Sequence, residues 1–142
     1  MKSIRYFILL YFFLGSCHSG LTDKERMEAL EKKVLQIHDE AMSKMDTAYE
    51  LRMNLQKLNQ KLIQQPTDSR IIYSVKDQAV KLNLAEESMM DWMHQYKIPS
   101  NASPQQVIVY LQNQLTKINL VNNQMNSSLE TAQKTYQQYE KM

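Results

Sequence analysis

The sequence predicts an all-α protein, an elongated antiparallel three-helix bundle with coiled-coil-like heptad seams, following a cleaved N-terminal signal. Three observations carry this reading. Apolar residues recur every seven positions from Asp23 to Ile63 in two registers. The prolines, Pro66, Pro99 and Pro104, separate three long segments that contain neither Gly nor Pro, the residues that helix interiors avoid. Strand patterning is nearly absent, since the one β-branched cluster, Val107-Ile108-Val109, opens a longer helical pattern.

Residues 1–16 read as a signal. Lys2 and Arg5 precede nine consecutive apolar residues, Tyr6 to Leu14. A bilayer-spanning helix takes roughly 20, so the stretch fits the short apolar core of a secretory signal. Leu14-Gly15-Ser16-Cys17 follows. It resembles the lipobox of bacterial lipoproteins, in which a small residue precedes the Cys that is acylated. This implies cleavage between Ser16 and Cys17 and lipidation at Cys17, with 17–22 as a tether and 23–142 as the bundle. An ordinary signal peptide with a chance Cys is the competing reading. A mitochondrial presequence would be amphipathic and Arg-rich, which this stretch is not.

Cleavage changes the charge balance. The 142-residue chain keeps 126 residues; Lys2 and Arg5 leave, so 17 basic residues become 15, against 15 acidic. Neutrality without a basic cluster argues against a nucleic-acid partner. Phe7, Phe12 and Phe13 also leave, so the core falls to Leu, Ile, Val, Met, Ala, Tyr and Trp92.

The first helix is expected over about 23–63. Thr22 and Glu25 have the spacing of a capping box. One register holds Met27, Val34, Ala41, Ala48, Leu55 and Leu62, the other Leu30, Ile37, Lys44, Leu51 and Leu58. Such a seam supercoils gently against partner helices, and Lys44 is its one polar break. Leu30, Ile37, Leu51, Leu55 and Leu58 are expected to be buried, with Glu28–Lys32 and Glu40–Lys44 as i,i+4 pairs. The second helix is expected over about 68–97, capped by Thr67 or Asp68. Its seam is Ile71, Val75, Gln78, Leu82, Ala85, Met89, Trp92 and Tyr96. The third runs over about 104–142. Ser103-Pro104 supplies an N-cap with proline in the first turn, and Gln106 completes a capping box. Its seam runs Val107, Leu111, Gln114, Ile118, Val121, Met125, Ser128, Ala132 and Tyr139. Short connections make neighbouring helices antiparallel. A heptad seam does not distinguish a monomeric bundle from a homodimeric coiled coil.

Little in the chain points to catalysis. There is no phosphate-binding Gly loop and no nucleophile–base set. One cysteine excludes an internal disulfide and a Cys-based zinc cluster. Asp39-Glu40 and Glu86-Glu87 read as solvated faces. The chain is therefore expected to be no enzyme, and the site expectation is catalytic none, metal none and cofactor none. One constellation allows another class. His38 and Met42 on the first helix face Met93 and Met89 on the second if the hairpin turns near Pro66. Thioether and imidazole donors suit Cu(I) or haem iron. The plainer reading is that Met fills gaps around Trp92. A small envelope enzyme is the third and weakest reading.

The segments Ile37-His38-Asp39-Glu40-Ala41-Met42-Ser43-Lys44-Met45 and Met89-Met90-Asp91-Trp92-Met93-His94-Gln95-Tyr96, behind a lipobox, resemble small Bacteroidota lipoproteins labelled "viral A-type inclusion protein". The resemblance covers the signal and the first two helices and fades over the third. It implies a helical fold and an envelope location, at the outer membrane facing the periplasm. It implies no viral activity, and the molecular function of that family is unassigned. The expected partners are a membrane, through the lipid, and an unidentified envelope protein. Asn101-Ala102-Ser103 and Asn126-Ser127-Ser128 match glycosylation acceptors but are coincidental in a bacterial chain.

Overall fold

The computed structural model describes residues 21–142. The expected cleavage at Ser16–Cys17 and acylation of Cys17 lie outside the described residues. Four helices and no strand occur among those described: α1 Asp23–Met42, α2 Met45–Ile63, α3 Ser69–Gln95 and α4 Pro104–Tyr139. α1 and α2 form one bent arm, so the fold is a three-armed helical bundle. At about 1.5 Å per residue, the 36-residue α4 is about 54 Å long.

The caps fall where the sequence places them. Thr22 accepts from the Glu25 N–H while Glu25 accepts from the Thr22 N–H, closing the capping box of α1. Ser103 and Gln106 do the same for α4, with Pro104 in the first turn. Asp68, not Thr67, caps α3 by accepting from the Arg70 N–H at 2.8 Å. Among the ion pairs, Glu40–Lys44 forms at 2.7 Å, whereas Glu28 pairs with Lys24 rather than Lys32.

The expected single helix over 23–63 is broken at Ser43–Lys44. The backbone bonding changes at that point. The Ser43 hydroxyl donates to the Glu40 carbonyl at 2.7 Å. The Lys44 N–H, which a continuous helix would aim at that carbonyl, donates instead to Ala41 at 3.1 Å. A hydroxyl competing for a helix carbonyl tightens the turn and bends the helix.

The arms have a definite sense. Glu40 meets Asn122 and Lys44 meets Asn126, each 82 positions on, so the bent arm and α4 run parallel. Arg52 meets Glu86 and His38 meets Trp92, so α3 runs antiparallel to the bent arm. Tyr96 meets Tyr110, so α3 and α4 are antiparallel too.

The bend divides the core. On one side Ala48, Leu51, Leu55, Leu58 and Leu62 pack with Val75, Leu82, Met125 and Ala132. On the other, Val34 and Ala41 pack with Met89, Trp92 and Ile118. Leu51, Leu55 and Leu58 are buried as expected. Leu30 and Ile37 are only half-buried. α3 ends at Gln95, two residues before its expected end at Lys97, and Trp92 already lies level with His38. The first turns of α1 therefore have one neighbouring helix instead of two.

Candidate functional site

Two sets of polar and soft side chains gather near the bend, on opposite edges of the bent arm. The first faces α4. The Lys44 ammonium donates to Glu40 Oε1 at 2.7 Å, Asn126 Oδ1 at 2.7 Å and Asn122 Oδ1 at 3.2 Å. All three of its donors are thereby used. The Asn122 amide returns a bond to Glu40 Oε1 at 3.2 Å. Asn122 is buried, and a buried amide needs such partners. The lysine and the Asn122 amide hold the Glu40 carboxyl below the usual carboxylate range. This set closes on itself and has no free donor on Lys44 to offer a ligand.

The second set faces α3. The His38 ring packs on Trp92 with centroids 5.6 Å apart. Trp92 stacks on Tyr96 at 4.8 Å, and Tyr96 leans on Tyr110 at 6.2 Å. The Tyr110 hydroxyl accepts from the Lys97 N–H at 2.7 Å, tying down the chain just after α3. Burial pushes the Tyr96 hydroxyl above the usual phenol range, and the Glu31 carboxylate adds to the push. The Trp92 indole N–H and the Tyr96 hydroxyl are buried without a partner. A carboxylate or carbonyl near the indole, which burial normally calls for, is not supplied by the surrounding side chains.

His38 Nδ1 lies 2.9 Å from Asp39 Oδ1. An ionised carboxylate only accepts, so this contact assigns the proton to Nδ1. The His38 side chain is 20% exposed.

The four residues singled out as soft donors part company here. His38 and Met42 sit four apart on α1, on the edge turned to α3, and Met42 packs half-buried against the Met89–Trp92 cluster. Met89 is fully buried in that cluster. Met93 is 37% exposed and lies outside the buried cluster. Seven residues before it, two turns back on the same edge of α3, Glu86 pairs with Arg52 at 2.9 Å. That edge of α3 borders α2 at the level of Glu86.

The Arg52–Glu86 pair corrects the sequence reading of Glu86 as solvated. Its two nitrogen–oxygen contacts are 2.9 and 3.1 Å, and the side chains are only 15% and 14% exposed. Glu86 also holds the guanidinium more firmly protonated. Asp39 and Glu40, in contrast, are exposed residues. Asn122 is the other residue that the sequence reading passed over. A signal for it existed, four positions after Ile118 and three before Met125, inside the buried stripe of α4.

A groove of about 500 Å³ between α2 and α3 is lined by Gln56, Asn59, Lys76, Val80, Asn83 and Leu84. No group of three or more His, Cys, Asp or Glu residues placed to hold a metal occurs among the described residues, and no described helix is long and apolar enough to cross a membrane. No family model, curated protein or solved structure matches the chain.

Proposed function

We propose that the chain is a lipid-anchored bacterial envelope protein whose helical bundle serves as a non-enzymatic binding or structural module. The observation that carries this reading is Leu14-Gly15-Ser16-Cys17 behind nine apolar residues and a basic start. The resemblance of the signal and of the first two helices to small Bacteroidota lipoproteins supports it. Acylation at Cys17 attaches the bundle to the outer membrane, facing the periplasm, through the tether 17–22. One acyl chain holds a protein only marginally, with K on the order of 10⁴ M⁻¹, and two or more make the attachment stable. The even balance of 15 basic and 15 acidic residues beyond residue 16 leaves no charge-driven hold on anionic lipid or nucleic acid, so the lipid does the anchoring.

The test is metabolic labelling with a fatty-acid analogue in cells making wild-type or Cys17→Ser chain. Label in the wild type and none in Cys17→Ser is the expected result. An unlabelled wild type overturns the reading.

A further inference from the structure

We propose that the groove between α2 and α3 seats an amphipathic helix of a partner protein, acidic in its first turn, basic in its last, and parallel to α3. The inference deepens the binding-module part of the reading above, and its test does not depend on acylation at Cys17.

The side chains that face the groove set its shape. Ala79 is buried at its floor, and so small a side chain leaves a hollow between the two helices. On the α3 side, Val80 and Leu84 lie one turn apart and are each 48% exposed. Tyr73, seven residues before Val80 and 71% exposed, continues this apolar stripe toward the α2–α3 connection. The α2 side is carboxamide, with Gln56, Asn59 and Gln60. Asn59 Oδ1 is buried without a hydrogen-bond partner, and a donor on the occupant would satisfy it. One apolar wall and one amide wall match a helix that is apolar toward α3 and polar toward α2. The ridges of a helix pack into such a groove. An extended peptide would need a strand edge for its backbone, and none occurs among the described residues.

Charge gives the occupant its direction. Lys76 lines the groove and makes no ion pair among the described residues. Glu87 stands eleven positions further along α3, a rise of about 16 Å. It accepts from the Asn83 amide at 2.7 Å, which holds it at the groove's other end, and it also lacks a cationic partner among the described residues. The neighbouring charges pair with each other, Arg52 with Glu86 and Lys81 with Asp77. An occupant therefore meets a cation near the α2–α3 connection and a carboxylate toward the bend. Carboxylates stabilise the first turn of a helix and cations the last. A helix that starts at Lys76 and ends at Glu87 meets both demands.

Two dye-labelled peptides of about 18 residues, five turns, serve as probes. Both carry leucine at i, i+4, i+7 and i+11. One has Glu in its first turn and Lys in its last; the other has the reverse. Anisotropy is followed as mature chain in nonionic detergent is added. The acid-first peptide should bind saturably, one to one. Val80→Asp and Leu84→Asp should each weaken it about tenfold or more, the loss of one buried apolar side chain. Lys76→Glu with Glu87→Lys should weaken the acid-first peptide and strengthen the reversed one. Leu120→Asp, at an equally exposed apolar position on α4, should bind as the parent does, and retained helical circular dichroism guards against unfolding. Absence of saturable binding overturns the proposal, as does a charge swap that leaves both affinities unchanged. So does self-association of the chain that Val80→Asp abolishes, which would give the groove to a second copy.

Discussion

Individual side chains divide the work between packing and polarity near Ser43–Lys44. Leu55 is fully buried in the larger core cluster. Leu55→Ala should lower unfolding free energy by about 2–5 kcal/mol in denaturant titration, the transfer loss plus the cavity left behind. Lys44 is a different case. It was legible in the sequence as the one polar member of the first helix's seams, but its consequences were not. Where its ammonium goes depends on Asn122 and Asn126, 78 and 82 positions away, and nothing in a heptad count connects them. Glu86 was misread for the same reason. Its partner Arg52 lies 34 positions back, across the hairpin, whereas pairing rules within one helix reach only three or four residues.

The polar set at the bend also has a pH signature. The Glu40 carboxyl titrates below its reference value of 4.5 in the folded chain because Lys44 and Asn122 bind its ionised form. A lowered folded pKa contributes stability that is present above the unfolded value and lost as pH falls through the folded one. Stability measured by urea titration should therefore fall as pH drops below 4.5, and fall less steeply in Glu40→Gln. Equal slopes in the two chains would show that the carboxylate is not linked to folding. Glu25, Asp68 and Glu130 are lowered as well, so the comparison with Glu40→Gln isolates the one group.

At the scale of elements, helices and caps were legible because they are local. Thr22 with Glu25 and Ser103 with Gln106 each specify a helix start within four residues. The two Pro-marked connections followed from the absence of helix breakers elsewhere. The break between α1 and α2 was not legible, because no Gly or Pro announces it. It coincides with the Ser43 hydroxyl bonded to the Glu40 carbonyl, and serine is tolerated at many helix positions. Ser43→Ala should return the Glu40 carbonyl to the backbone ladder. Through-hydrogen-bond couplings in NMR should then show the residue 44 amide paired with Glu40 instead of Ala41. A coupling still to Ala41 would place the cause of the bend in the Lys44 contacts. The ends of α3 and the half-burial of Leu30 depend on where a neighbouring helix stops, which periodicity within one segment does not encode.

For the whole molecule, the three arms of one chain already fill both core clusters. Val34, Leu55, Leu82, Ile118 and Met125 are each fully buried without a second chain. Sedimentation equilibrium of residues 23–142 should accordingly give the monomer mass. A dimer mass would favour the coiled-coil alternative that the heptads leave open. The His38–Trp92 contact lies one residue from the juxtaposition that a turn at Pro66 implies. The antiparallel sense was therefore readable from the sequence, but one register does not hold along the whole arm, since Arg52 meets Glu86 well past the residue that the same turn would place opposite it. The envelope assignment rests on residues 14–17, and its most direct test is the mass of the mature N-terminus. Mass spectrometry of the chain purified from bacterial membranes should find residues 1–16 removed and Cys17 carrying acyl mass. A mature peptide with unmodified Cys17, or a chain that retains residues 1–16, would contradict the account.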